Sequence, residues 1–282
     1  MERIPNAKFI IPNSACLLAF LLAASLASAA QLPLEPQKDS GQGITPAYEG
    51  WFKNPDGSFT LLFGYYNRNL KQTLDIPVGP DNRIEPGGPD LGQPTHFLPR
   101  RQWGVFSVRV PADFGEKKLT WTIVANGRSA LVPIGRHRDY EVEPYKDAAN
   151  RNTPPVLRLE QGGSPLQGPP KGIAATLGTT LPQPVTLTLF ASDDGIVTPE
   201  RRAPAAPVSV TWSVHRGPGS VTFANPKPAI DATNGRTSTT ATFSAPGEYI
   251  LRAQANDMSG EGGGGFQCCW TNVHVKVTVQ GP

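Results

Sequence analysis

Between residues 208 and 257 apolar and polar side chains alternate with the two-residue period of an extended chain. Val208, Val210, Trp212 and Val214 fall on one face, and Ser209, Thr211 and Ser213 on the other. Tyr249, Leu251, Ala253 and Ala255 repeat the pattern as a partner strand, with Phe243, Pro246 and Gly247 turning the chain just ahead of Tyr249. Val273, Val275, Val277 and Val279 give a last strand, on which His274, Lys276 and Thr278 are expected to face water. Upstream, Val185, Leu187 and Leu189 alternate with Thr186, Thr188 and Phe190, and residues 156–159 and 173–177 read as shorter extended pieces.

The first half of the chain has the same grammar. Residues 48–52 and 58–66 flank Asn54-Pro55-Asp56-Gly57, a turn in which proline presets φ and glycine accepts a positive one, so the pair is predicted to form a hairpin. Residues 74–78 are a short extended piece. The loop over residues 85–94 carries Pro86, Pro89 and Pro94, which block regular pairing. Residues 102–110 resume alternation, and Leu119, Trp121 and Ile123 share one face of the next strand. Asn126-Gly127 then supplies a two-residue hairpin turn onto residues 130–134. Residues 48–135 thus predict about six strands and no helix.

The expected organisation is all-β: a signal peptide over residues 1–30, a flexible leader over 31–47, an N-terminal β-sandwich over 48–135, a polar linker over 136–155 and a second sandwich over 156–280. Arg3 and Lys8, the apolar run over residues 17–26 and Ala27-Ser28-Ala29-Ala30 read as a secretory signal cleaved near Ala29 or Ala30. That run is shorter than the ~20 residues of a spanning helix. Cys16 precedes the apolar core, which disfavours lipidation there. No later segment is apolar enough to span a bilayer, so the expected location is extracytoplasmic, periplasmic or secreted. The formal charge of +3 falls to about +2 without the signal, which leaves no electrostatic footprint for nucleic acid. The 29 glycines and 30 prolines suit many turns between short strands.

Residues 186–195 (TLTLFASDDG), 210–223 (VTWSVHRGPGSVTF) and 239–257 (TTATFSAPGEYILRAQAND), followed by the alternating valine strand, resemble the bacterial PKD-type domain. The resemblance covers roughly residues 154–280 and implies an immunoglobulin-like β-sandwich of exported and cell-surface proteins, without catalytic residues. Trp212 then stands where such a sandwich keeps its core tryptophan, and Tyr249 where a tyrosine corner sits. The loop over residues 260–269, with four consecutive glycines, departs from the family pattern. The first half is similar to uncharacterised exported bacterial proteins through residues 48–63 and 93–101, a likeness that brings no function with it.

Candidate chemistry is sparse. Asp193, Asp194, Asp257 and Glu261 occupy loops expected at one end of the second sandwich, where hard oxygen ligands suit calcium; the other reading makes Asp193 and Asp257 turn caps. Cys268 and Cys269 are adjacent, and neighbouring Cα atoms about 3.8 Å apart are closer than an unstrained disulfide prefers. Free thiols and a metal contact are open, but a strained Cys268–Cys269 bridge or a link to a partner chain is favoured over a redox enzyme, since no Cys-x-x-Cys pattern is present. His96, His137, His215 and His274 share no metal spacing. No Gly-x-Ser-x-Gly elbow or P-loop is present.

Trp51, Phe52, Tyr65, Tyr66, Trp103 and Trp121 form either a sugar-stacking platform or ordinary core. Arg100, Arg101 and Arg109 suit acidic glycans or a solvated edge strand. The expected function is a non-catalytic binding or structural module of the bacterial envelope with a glycan or envelope-protein partner. The alternative is a carbohydrate-active enzyme with a site in the first sandwich, using a carboxylate pair such as Glu49 and Asp56.

Overall fold

The first predicted hairpin closes through Asn54-Pro55-Asp56-Gly57 and joins β1 (Ile44–Lys53) to β2 (Phe59–Asn67). Gly57 sits at φ +85° in that turn, and Asp56 accepts the Ser58 N–H at 3.2 Å. The chain is seen here as a computed structural model that describes residues 36–88, 90–147, 151–196, 208–257 and 269–282. The expected signal peptide lies outside the described residues, and residues from Lys38 onward form one unit.

β1 begins at Ile44, ahead of the boundary expected at residue 48, and the chain before it is tied down. Leu70 N–H donates to Lys38 O at 2.9 Å, and Gln42 N–H donates to Asn69 Oδ1 at 2.7 Å. Pro46 is tolerated within β1 because β1 is an edge strand of its sheet.

The first sandwich continues with β3 (Leu74–Asp75), β4 (Asn82–Glu85), β5 (His96–Phe97), β6 (Arg100–Val110), β7 (Leu119–Ala125) and β8 (Arg128–Ile134). One sheet runs β1-β2-β6 and the other β4-β7-β8, with β3 and β5 as a separate pair. The turn between β7 and β8 is the predicted two-residue one, with Asn126 and Gly127 both at positive φ. The core lies between the two sheets. Phe63 of β2 stacks on Phe106 of β6 at 4.6 Å, and both meet Trp121 of β7 nearly edge-on. Trp121 Nε1 donates to Asn82 Oδ1, whose amide in turn reaches the carbonyls of Ile76 and Pro94, so the proline-rich loop is anchored from inside.

The second sandwich comprises β9 (Val156–Arg158), β10 (Ile173–Thr180), β11 (Val185–Ser192), β12 (Val208–Arg216), β13 (Val221–Phe223), β14 (Arg236–Phe243), β15 (Gly247–Asp257) and β16 (Trp270–Gln280). Its sheets run β13-β14-β11-β9 and β10-β16-β15-β12. The pairing is antiparallel except for β10 on β16, which is parallel because the chain leaves one sheet after β9 and joins the other at its far edge. Trp212, on β12, is 3% exposed in the core between the sheets, and Tyr249 Oη donates back to Ala245 O at 2.8 Å at the start of β15. Strand order, core tryptophan and tyrosine corner make this sandwich immunoglobulin-like.

The expectation that His274 faces water is overturned: it is 6% exposed. The alternation places it on the outer face of its sheet, but the first sandwich covers that end of the face. Lys276 and Thr278, further along β16, are partly exposed.

Replacing Trp212 with alanine is expected to remove roughly 3–5 kcal/mol of stability. Chemical denaturation of the variant read by circular dichroism checks this.

Candidate functional site

The outer face of β15 and β16 carries Arg252, Gln254, Trp270, Asn272 and His274, all buried. Polar groups removed from water need partners, since an unmade hydrogen bond in the interior costs about 1–3 kcal/mol. Here most of the partners come from β6 of the first sandwich and from the loop over residues 90–95. Arg252 Nη2 donates to Gln102 Oε1 at 2.8 Å. Asn272 Nδ2 donates to Gly104 O at 2.9 Å, and Thr95 N–H donates to His215 O at 3.0 Å. Arg216 donates to Gln93 O and, through both terminal nitrogens, to the Asp90 carboxylate at 3.0 and 2.7 Å. That fork holds the Asp90 carboxyl below its ordinary value.

Trp270 is fully buried against Gly104. A Cβ on Gly104 would lie 1.8 Å from Trp270 Cη2, and φ there is +53°. Only a residue without a side chain lets the indole lie on the β6 backbone.

Glu49 of β1 braces the same point. Its carboxylate accepts the Gly104 N–H at 2.8 Å and Arg101 Nη2 at 2.6 Å. Arg101 lies over the Trp103 ring at 3.7 Å and also donates to the carbonyls of Tyr65 and Gln102. Burial pushes the Glu49 carboxyl up to about 7, with Arg101 and the Gly104 N–H pulling the other way.

The imidazoles of His215 and His274 lie 4.3 Å apart, centroid to centroid. His215 Nε2 bonds Gly92 O at 3.0 Å, and His274 bonds the backbone of Val105. Neither His215 Nδ1 nor His274 Nε2 finds a partner among the described residues. Burial, followed by the neighbouring His274 and the Arg216 and Arg252 cations, pushes His215 well below its ordinary value. Burial and the same two arginines push His274 down to about 3. Both rings are therefore neutral at pH 7.

Of the calcium candidates, Asp193 and Asp194 sit as turn residues. Asp193 and Asp194 each accept the N–H two residues ahead at 2.9 Å, and Asp194 also takes Thr153 N–H and Oγ1. Asp257 accepts Asn152 Nδ2 at 2.6 Å. Burial, with repulsion from Asp194 and Asp257, pushes Asp193 up to about 6. Among the described residues no three His, Cys, Asp or Glu side chains gather to hold a metal ion. Glu261 and Cys268 lie outside the described residues. Cys269 is buried and disulfide-bonded.

Trp51, Phe52, Tyr65 and Trp121 are buried, and Tyr66 and Trp103 are partly so, which leaves no platform built from these six. Glu49 and Asp56 do not pair: Asp56, exposed in the turn, is engaged by Ser58 and Arg109. Trp270 was the overlooked signal. A tryptophan at an outward position of a strand marks a covered face. Among the described residues no helix is long and apolar enough to cross a membrane.

No family model and no curated protein matches this chain. Among solved structures it is similar to the D00-D0 domain of intimin, at 13% identity over 84% of this chain and 98% of that one, with a TM-score of 0.26. Domains 4 and 5 of the S-layer protein SbsC give 12% identity over 72% and 78%, with 0.24. An immunoglobulin tandem of titin gives 10% over 86% and 100%, with 0.23. Likeness at this level transfers neither residues nor roles.

Gly104→Ala is expected to cost at least about 1–3 kcal/mol through overpacking, and Trp270→Leu to recover part of that loss; denaturant midpoints of the single and double variants check the coupling. The pH dependence has two opposed parts. The depressed histidines make stability fall as pH drops from about 6.5 towards 3, because the unfolded chain then binds more protons. The raised Glu49 makes stability fall as pH rises from about 4.5 to 7, because the folded chain then holds the extra proton. Melting temperatures are expected to show a weaker acid decline in His215→Gln/His274→Asn, which keeps both hydrogen-bond donors, and a flatter rise-side slope in Glu49→Gln.

Proposed function

We propose that this protein is a non-catalytic binding or structural module of the bacterial envelope, acting outside the cytoplasm as a rigid pair of sandwiches. The observation that carries this reading is the use made of its perturbed ionisable groups. Glu49, His215 and His274 have environments that would suit acid–base work, and all three are enclosed and engaged by backbone or arginine, while Asp193, also raised, is tied into its own turn by the Gly195 N–H. The two histidines bond across from one sandwich to the other, and Glu49 holds the β6 backbone on which Trp270 lies.

Export is supported by the leader pattern in the sequence and by the disulfide at Cys269, since such bonds persist in oxidising compartments. In this reading the second sandwich is of the PKD type, on the strength of its ordered sequence blocks, its core Trp212 and its Tyr249 corner. A glycoside hydrolase using Glu49 and Asp56 is disfavoured, because one carboxyl is enclosed and the other is tied into a turn.

The test is incubation of the full purified chain with isolated cell-wall glycans and a glycan array. Retention on an envelope component without release of reducing ends is expected. Turnover of any glycan would overturn the non-catalytic reading, and its loss in Glu49→Gln would put the site at that carboxylate.

A further inference from the structure

A solvent-open pocket of about 400 Å³ lies beside β8, away from the joint between the sandwiches, and is lined by Tyr48, Lys118, Val132, Ile134, Arg136 and Tyr140, with Glu116 and His137 also at its wall. Its volume is within the ~300–1,000 Å³ of small-ligand sites. Its wall is held in place by its own aromatics. Tyr48 Oη donates to Gly135 O at 2.9 Å, and Trp51 Nε1 donates to His137 O at 2.8 Å, so residues 135–140 are fastened to β1. Val142 N–H adds a third bond, to Trp51 O at 2.9 Å. Gly50 permits this approach: at φ +110° it would place a Cβ 2.5 Å from Tyr140 O.

Two features of the pocket are not used by the fold. Tyr140 is 53% exposed, its ring 5.6 Å from that of Tyr48, so an aromatic face stands in water at the pocket mouth. Arg136 is held over the Phe59 ring at 3.8 Å with Trp51 behind it at 5.5 Å, yet its Nε has no hydrogen-bond partner and it forms no ion pair among the described residues. A guanidinium fixed on an aromatic floor, unpaired and next to a ring in water, is a preorganised receptor for a planar anion. Lys118 adds a second cation at the rim, against the single carboxylate of Glu116.

We infer that this pocket binds an acidic sugar residue, a pyranose ring bearing a carboxylate, with the ring against Tyr140 and Tyr48 and the carboxylate on Arg136. The inference rests on the binding-module reading and specifies its ligand class. A sugar ring offers an apolar face to a tyrosine and a carboxylate to a guanidinium at the spacing of adjacent groups, which a fully apolar ligand does not. Binding is accordingly salt-sensitive, because Lys118 is exposed and Arg136 only partly covered.

The experiment is titration of the full chain with a galacturonic acid trisaccharide, its neutral galactose counterpart and an apolar tetrapeptide with a free carboxylate. The acidic sugar is expected to bind, with affinity reduced about tenfold or more by Tyr140→Ala and by Arg136→Gln, and retained in Tyr140→Phe. Tyr140 is exposed, so its alanine variant is expected to melt with the parent protein, which separates a lost contact from a lost fold. No binding of the acidic sugar, equal binding of the neutral one, or preference for the peptide would overturn the assignment. If a glycan is bound with affinity indifferent to Tyr140→Ala, the pocket is wrong while the module reading stands.

Discussion

The structure depends on a sheet face that is polar in pattern and buried in fact. On β15 and β16 Tyr249, Leu251, Ala253, Ala255, Val273, Val275, Val277 and Val279 fill the core, and the buried outward positions include Arg252, Gln254, Trp270, Asn272 and His274. Left in water these groups would need nothing. Enclosed, most of them take their hydrogen bonds from β6 and the loop before β5, and the packing closes only because Gly104 has no side chain where Trp270 lies. The demand for partners, together with one close approach of ring to backbone, sets the register of one sandwich on the other.

Such a joint differs from an apolar interface in what it tolerates. Apolar surfaces can slide with modest loss, whereas a hydrogen-bonded seam that slips leaves Arg252, Arg216 and Asn272 facing the wrong atoms. Unpartnered atoms of Gln254, Trp270, Asn272, His215 and His274 mark where satisfaction among the described residues is incomplete, and burial, helped by the nearby arginines, keeps both rings neutral. The same chemistry that makes Glu49 resemble a catalytic acid, deep burial beside a cation, here fixes the β6 backbone at Gly104, on which Trp270 lies. By contrast the pocket at Tyr48, Arg136 and Tyr140 leaves a cation and an aromatic face unspent at the surface.

Much of the fold was readable from period and turn chemistry. The alternation around Trp212 and Tyr249, the Asn54-Pro55-Asp56-Gly57 turn and the Asn126-Gly127 turn each specify local geometry, and each forms as read. What period cannot report is whether an outward face meets water or another part of the chain. His274 was misread for that reason, since its neighbours Lys276 and Thr278 on the same face are partly exposed. The start of β1 is hidden in sequence because residues 31–46 are polar and proline-rich with no two-residue period, and Pro46 fits β1 only because that strand lies at a sheet edge. Glu49 was visible as a carboxylate, but its partner Arg101 lies 52 residues away and the two meet only once β1 and β6 share a sheet.

The central claim is that two sandwiches with separate cores behave as one body. Scanning calorimetry of the unmodified chain tests it most directly, by comparing the calorimetric with the van't Hoff enthalpy of unfolding. A single transition with the two enthalpies equal is the predicted result. Two resolved transitions, each with the enthalpy of one sandwich, would contradict it.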